Sequence, residues 1–592
     1  MPGAIRIFLR SLERRQWQLL AAVWLLTLAF GYRASSLQYD SMGLSHSFWD
    51  TLYNALGLFT LNSAGSLSPL VWQLEVARFL APIVAAFTAV KAVGLLLTAE
   101  AFRFRQRFTR GHTVVCGLGQ RGLRLALQLR KAGSRVVVVE CDPADPLLES
   151  CRQAQIATMV ADATEAPVLR LARVDTASHV IAVCGPDAVN AEIAAQTAAL
   201  VQRRRGGPLH CLIHIVDAQL WKLLRERELG DDPSSAFRLE FFNIFESGAR
   251  AMLREYPAFE RDGETPHVLI VGLGCLGEHL ASRVAWEWHR ERRRGAGRMQ
   301  LSLLDVAATE RCQALVGRHP ALVDACDVTA LDIDACSPAF ERCEFLSDER
   351  DRCSVTAVYV CLDDDTRALS AALTVHRQTR ACGVPIIVRL DGGHALAELL
   401  GGRTTAAAEF ADVHAFSLLD ATCQAELVLR GTHEALATAM HDVYVEEQLR
   451  AGHDPADNPM VAPWDELPAE IRESNRRAAD HTRVMLTAAG CTVAPLEDWD
   501  ADLFLFSADE IETMGALEHR RWMDERKAAG WRQAPADRRA NGKTSPHMVA
   551  WDQLPEEVKD YDRATVRRVP ALLALVGLEV RRRDVGGQSC TR

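Results

Sequence analysis

Two short stretches, residues 114–122 (VVCGLGQRG) and 269–277 (LIVGLGCLG), stand 155 residues apart and share one design. In each, a run of β-branched and aliphatic residues breaks on a glycine, two more glycines follow at fixed spacing, and a helical pattern begins. Glycines at those positions let a strand turn sharply into a helix. They also let the backbone and the helix N-terminus approach a pyrophosphate, while an acid ending the next strand takes a ribose hydroxyl. The residues that match are Gly117, Gly119, Gly122 and Glu140 in the first copy, with Asp162 ending the third strand (VADAT). In the second copy they are Gly272, Gly274, Gly277 and Asp305. Strands and helices alternate through both copies, with Asp187 and Asn190 after the fourth strand of the first, which predicts a parallel, doubly wound sheet in each. An acid at Glu140 favours NAD or another adenine nucleotide over NADP. An arginine-rich stretch, residues 290–298, lengthens the first connection of the second copy. Asp305 therefore falls 28 residues after Gly277, against about 20 in the usual pattern, and this copy is the weaker nucleotide candidate.

A chain of 592 residues accommodates about four domains. A net charge of −10 argues against a nucleic-acid partner, since phosphate binding needs a basic footprint. The 16 cysteines include no CxxC pair, so neither a zinc ribbon nor a disulfide framework is expected, and no metal site. These averages hide the N-terminal hundred residues. Residues 16–32 carry no charge, and residues 79–99 carry only Lys91, so each run is long enough to cross most of a bilayer. Arginines cluster before the first run (Arg6, Arg10, Arg14, Arg15) and after the second (Arg103, Arg105, Arg107, Arg110), while residues 36–73 hold no Lys or Arg. The positive-inside rule then places both termini in the cytoplasm of a two-span protein of the cell (inner) membrane. A cleaved signal peptide is disfavoured, because export would strand a thiol-rich chain in an oxidising space.

Between the spans, residues 47–61 (SFWDTLYNALGLFTL) have an N-cap serine, an acid in the first turn and helical apolar spacing, yet are too short to cross. They read as a re-entrant helix leading into a small-residue turn. Span, short helix, turn and span over residues 16–110 resemble the two-span pore module of potassium channels. That resemblance implies a filter at Thr60, Leu61, Asn62, Ser63, Ala64 and Gly65. The family's TTVGYGD-like stretch is shortened here, which removes carbonyl layers and puts potassium selectivity in doubt. Lys91 either rings an aqueous cavity with positive charge or snorkels to the headgroups. Gly94 is either a gating hinge or a packing residue.

A membrane segment running into a GLGxxG unit with VADAT and D-x-x-N resembles the RCK, or TrkA-N, family over about residues 111–450. The resemblance implies paired cytoplasmic domains assembled into a gating ring whose nucleotide or ion ligands pull on the pore helices, and hence a homo-tetramer. No HExxH, GxSxG or substrate domain is present in the sequence, so no catalytic residue and no enzyme activity are expected.

The last 130 residues hold a second repeat. Trp464, Asp465, Leu467, Pro468, Arg476 and Gly490 recur 87 positions later as Trp551, Asp552, Leu554, Pro555, Arg563 and Gly577, each set predicting a Pro-started helix with a glycine stop. With the intervening EHRRW and GW motifs, residues 462–578 are similar to the RyR repeat domain of ryanodine receptors and bacterial relatives. Glu518, His519, Trp522, Trp531, Trp551, Tyr561 and Arg563 are the candidate pocket for an aromatic, anionic ligand. Packing of the tryptophans in a helical core is the alternative.

The expected architecture is a membrane α-helical pore (residues 1–110), two α/β Rossmann-like RCK domains (111–262 and 263–453) and a mainly α-helical RyR domain (454–592). The expected function is an ion channel gated by a small nucleotide-like ligand, with the bilayer and a permeant ion as further partners. The rival expectation is a nonconducting, membrane-tethered nucleotide-binding regulator of a separate transporter.

Overall fold

The computed structural model describes residues 2–60, 71–106, 110–202, 204, 208–217, 220, 236–259, 265–347, 353–392, 410–452, 458–533 and 543–583. It divides into two compact units, Met1–Thr109 and Arg110–Arg592.

In the first unit, two long helices, Pro2–Ser41 and Trp72–Gln106, flank a short one, Phe48–Gly57. Ser47 caps the short helix: its hydroxyl accepts the Asp50 N–H at 3.2 Å, and the Asp50 carboxylate accepts the Ser47 N–H in return. A single 3₁₀ turn, Leu58–Thr60, extends it. Leu20–Ser41 and Trp72–Lys91 are long and apolar enough to span a bilayer, about 33 and 30 Å at 1.5 Å per residue. Only 22% and 17% of these windows are buried within the protein. Leu25, Leu26, Phe79, Ile83, Phe87 and Val90 face outward, as they would against lipid and not in the core of a water-soluble bundle. A small core of Ala34, Leu58, Phe59, Ala77, Ala81 and Val84 joins the three helices. Trp24 stacks on Phe59 with ring centroids 4.1 Å apart and donates its indole N–H to Thr88 Oγ1 at 3.0 Å. Gly31 lets the short helix approach, since a Cβ there would lie 3.2 Å from Leu58 Cδ1.

The second unit contains two six-stranded, wholly parallel sheets. β1 (Thr113–Cys116), β2 (Val136–Glu140), β3 (Ala157–Val160), β4 (His179–Ala182), β5 (Leu209–His214) and β6 (Phe237–Phe242) lie in the order 3-2-1-4-5-6. β7 (His267–Val271), β8 (Met299–Asp305), β9 (Cys326–Asp332), β10 (Ala357–Val360), β11 (Ile386–Arg389) and β12 (Val413–Phe416) repeat that order, with β7 and β10 at the switch point. This is the doubly wound Rossmann arrangement twice over. Three strands escape the sequence pattern, β6, β9 and β12, and all three are sheet edges. An edge strand is covered less completely than a central one and carries polar residues such as Glu240 and Asp327, so it lacks the continuous aliphatic run that reveals a buried parallel strand.

One core runs through both sheets, from Val115, Leu125 and Ile181 to Val268, Ile270 and Leu303. The helix Ile244–Glu255 supplies Phe245, Ala249, Met252 and Leu253 to it. Asn243 starts this helix by accepting the Phe245 N–H at 2.9 Å.

The C-terminal helices Ala469–Ala488, Ala508–Ala528 and Glu556–Leu575 pack with the helix Ala425–Arg450, which breaks at Gly431 (φ +49°). Strands Cys491–Pro495 and Leu578–Arg582 pair antiparallel beside them. Gly490 and Gly577 stop their helices at φ +68° and +76°, as the repeat predicts. Leu436, Ala437 and Ala439 enter the same core as Trp464, Met485 and Leu573, so this core begins on the N-terminal side of residue 454. The arginine-rich end of the helix Cys275–Arg292 holds the module in place. Arg293 reaches Asp500 at 3.0 Å and Asp502 at 2.6 Å, Arg290 reaches Asp502 at 3.2 Å, and His289 reaches Asp500 at 2.9 Å. Trp499 is buried beside them, its ring 5.8 Å from that of His289.

Candidate nucleotide crevices and the C-terminal cluster

At the C-terminal end of β1 the chain turns on Gly117 (φ +92°), where a Cβ would sit 2.9 Å from the Cys184 backbone nitrogen. A Cβ on Gly122 would lie 2.0 Å from the Gly117 carbonyl oxygen, which forbids any side chain there. Gly119, by contrast, has open space around its Cβ position. The first and third glycines are thus demanded by the fold, and the second leaves room at the N-terminus of the helix Gln120–Lys131. The second copy repeats the geometry. Gly272 (φ +93°) lies against Leu362, a Cβ on Gly277 would lie 2.0 Å from the Gly272 oxygen, and Gly274 has only Asp363 Oδ2 at 3.8 Å.

The strand-end acids fasten these turns. Glu140 accepts the Leu118 N–H at 2.7 Å and the Asp142 N–H at 2.9 Å. Burial by itself would raise its pKa, but these amide donors hold the carboxyl below its ordinary value. Asp305 does the same work, accepting from Leu273 at 2.8 Å and Ala307 at 3.1 Å. Arg311 stands beside Asp305 at 3.5 Å and donates to the Leu273 carbonyl at 2.6 Å. A guanidinium therefore stands beside the strand-end acid of the second copy, and among the described residues none contacts Glu140. Asp162 accepts both the N–H and the hydroxyl of Thr164, at 2.9 and 2.7 Å, which lowers its pKa and shapes the turn after β3. Asn190 is fully buried and ties the ends of β4 and β5 together through Cys184 (2.8 and 3.0 Å) and His214 (2.9 Å). Asp187 accepts the Val216 and Asp217 N–H groups at 3.0 and 2.8 Å. Asp365 plays that part in the second copy, accepting from Asp391 and Gly392.

Two residues at the first crevice escaped the motif. Arg121, between the second and third glycines, lies 3.4 Å from His214 Nδ1 and 5.7 Å from the Phe245 ring. Burial and this guanidinium push the His214 imidazole down to about 3, so it is neutral. Arg389 at the end of β11 approaches the same Phe245 ring from the second copy, at 6.0 Å. The signal was available only for Arg121, as a basic residue inside the glycine motif.

Among the candidate pore residues, Thr60 donates its hydroxyl to the Gly57 carbonyl at 3.0 Å. Leu61, Asn62, Ser63, Ala64 and Gly65 lie outside the described residues. Lys91 is half-buried on the second long helix.

The C-terminal candidates divide into groups. Trp551 lies on Gly515, donates to Glu512 at 3.2 Å, and sits 5.8 Å from the Arg563 guanidinium. Arg563 is already held by Glu512, Glu556 and Asp560 at 2.5, 2.9 and 3.0 Å. Glu518 is buried and paired with Arg521 at 2.6 Å. His519 is buried between Val549 O (2.9 Å) and Asp562 (3.3 Å) and stacks on Trp522. Burial pushes the Asp562 carboxyl above its ordinary range. Tyr561, 77% exposed, does not join the cluster. Trp531 meets Trp522 only through Arg526, which lies 4.6 and 5.8 Å from the two rings.

Residues 113–207 match the model of the TrkA-N domain. The TrkA-N match runs from β1 through the helix Asp187–Val201, and so contains the glycine turn, Glu140, Asp162, Asp187 and Asn190. A comparison with curated protein sequences finds no match. Among solved structures, the chain is similar to GsuK bound to ADP (18% identity, 70% of this chain and 98% of that one, TM-score 0.38). It is similar also to the GsuK channel bound to NAD (16% identity, 71% and 84%, TM-score 0.37) and to a dipicolinate synthase from Bacillus halodurans (12% identity, 54% and 97%, TM-score 0.19). The fold assignment rests on the strand order and the TrkA-N match, not on these alignments.

Proposed function

We propose that the chain is a ligand-gated ion channel of potassium-channel-like architecture, in which the TrkA-N unit takes an adenine nucleotide and its Rossmann-like partner completes an RCK pair. One observation carries this reading: two bilayer-length helices with outward apolar faces, joined by a capped helix too short to cross, share a chain with a TrkA-N domain. The open space at Gly119 and the free N-terminus of the following helix suit a pyrophosphate, and Glu140 suits a ribose hydroxyl. Arg311 beside Asp305 makes the second crevice the poorer site for an unphosphorylated ribose. The C-terminal RyR-like module serves as a second sensor, the assembly is a homo-tetramer in the cell membrane with its large domains in the cytoplasm, and no reaction is catalysed. The sequence after Thr60 is shorter than the family's filter stretch, so the reading leaves ion selectivity open.

The shortness of that sequence also supports the second reading, a tethered regulator without a pore of its own. Flux separates the two. The purified chain in liposomes is expected to pass monovalent cations, with a rate that changes when ADP or NAD is added on the cytoplasmic face. Liposomes that stay tight under both nucleotides, while the protein binds them, would favour the regulator.

A further inference from the structure

The C-terminal module is a duplication that begins earlier than its tryptophan motif. Glu434 and His441 on the helix Ala425–Arg450 correspond to Glu512 and His519 on the helix Ala508–Ala528. In the first repeat Glu434 accepts the Trp464 indole N–H at 3.2 Å and binds Arg476 through two contacts of 2.7 Å. In the second, Glu512 accepts the Trp551 indole N–H at 3.2 Å and binds Arg563 at 2.5 Å. His441 meets the Ala462 carbonyl at 2.8 Å, and His519 meets the Val549 carbonyl at 2.9 Å. What the repeats share is therefore scaffold, and it accounts for His519, Trp551 and Arg563 without a ligand.

The difference lies one helical turn further along. The ring series Trp464, His441, Tyr444 ends in the first repeat, where Gln448 follows. The second repeat continues it from Trp551, His519 and Trp522 to Arg526 and Trp531. Gly530 (φ +82°) ends this helix, its N–H going to Lys527 O and that of Trp531 to Arg526 O, both at 2.9 Å. This pair of hydrogen bonds brings the residue after the glycine onto the residue five back, a contact that two apolar side chains frequently make at such helix ends. Here one of the pair is an arginine. Neighbouring Arg521 is held by Glu518 and Glu525, and Arg563 by three carboxylates. Arg526 has no carboxylate within ion-pairing distance among the described residues. A guanidinium that lies over two indole rings with no carboxylate on its N–H groups keeps those donors for an oxyanion, and the half-buried indoles beside it offer a stacking surface.

We propose that Trp522, Arg526 and Trp531 form a binding site for a small ligand that joins a planar ring to an oxyanion, of the nucleoside monophosphate class. This rests on reading the module as a sensor, and it moves the sensing residues from the Trp551–Arg563 clamp to the outer end of the ring series. The helix stop sets Trp531 against Arg526 before any ligand arrives, so little ordering is required on binding.

The test uses the full chain in detergent, titrated with AMP, adenosine and inorganic phosphate by calorimetry and tryptophan fluorescence. Arg526→Gln and Trp531→Ala are each expected to weaken AMP binding about tenfold or more, the scale of one lost desolvated cation–π or stacking contact, with unfolding temperatures unchanged. Arg526→Lys is expected to recover only part of the loss. Adenosine and phosphate, each making half of the contact, bind at least tenfold more weakly than AMP. A Gly119→Val chain, whose added side chain enters the open space of the first crevice without meeting the backbone, separates the sites: AMP binding that persists there and falls in Arg526→Gln supports the proposal. Binding lost in Gly119→Val but intact in Arg526→Gln and Trp531→Ala belongs to the crevice and overturns it. So does phosphate binding as tightly as AMP, or the absence of AMP binding in every chain.

Discussion

Glu140 shows how one side chain can serve both fold and site. Its two oxygens take the Leu118 and Asp142 amides, so the acid that would read a ribose also holds the turn that would receive the pyrophosphate. The folded carboxyl has a lower pKa than it has in an unfolded chain. Its stabilising contribution is therefore complete above the ordinary carboxylate value and is lost as pH falls through that value towards the folded one. Glu140→Gln is expected to be less stable than the parent at pH 7, and the gap should close between about pH 5 and pH 3. Urea unfolding across that range checks it, and a gap that persists at pH 3 would show that the amide contacts contribute nothing through charge. The glycines were legible in the sequence because their requirement is local: a Cβ on Gly122 or Gly277 meets a carbonyl of the same turn. The meeting of Arg121 with His214 was not, because 93 residues separate them and only the closed sheet makes them neighbours.

Among the elements, the duplicated helices of the C-terminal module separate two kinds of ion pair. Glu434 and Arg476 are almost wholly buried, whereas Glu512 is 45% exposed and shares Arg563 with Glu556 and Asp560. Removing one partner of a buried pair strands the other charge, at a cost of about 3–5 kcal/mol. Removing one of several exposed partners costs less than about 1 kcal/mol. Glu434→Ala is thus expected to lower the urea midpoint strongly and Glu512→Ala only slightly, and equal effects would mean that the two clamps are not distinguished by burial. The sequence pattern caught the tryptophans and arginines of this duplication but not its glutamates and histidines. From Glu to Trp is 30 residues in the first repeat and 39 in the second, so no single offset aligns both halves. Edge strands β6, β9 and β12 were missed for the related reason that half of what makes them strands is supplied by a neighbour.

At the scale of the second unit, the arginine-rich stretch that lengthens the first connection of the second copy is a docking surface. The helix Cys275–Arg292 begins at the second glycine turn and ends in His289 and Arg290, which together with Arg293 bind Asp500 and Asp502. Eighteen residues of helix span about 27 Å, a rigid connection between a crevice and the C-terminal module. Asp502→Asn together with Asp500→Asn is expected to loosen the module. Its Trp499, 5% exposed, should then show a red-shifted emission, and trypsin should cut sooner after Arg290 and Arg293, which those two carboxylates hold. Unchanged emission and digestion would show that Trp499 packing alone holds the module.

Local chemistry explains what could be read from the chain alone. Uncharged runs, glycine turns with a following acid, and tryptophan–proline repeats each act over a few residues, and they determined the apolar helices, both doubly wound sheets and the existence of a duplicated C-terminal module. The tertiary structure decided which side chains remained available. It committed Arg563, Trp551 and His519 to partners, placed Tyr561 in solvent, set Arg311 against Asp305 and left Arg526 between two indoles. Availability depends on what every other residue has already bound, and that is settled only when distant segments pack.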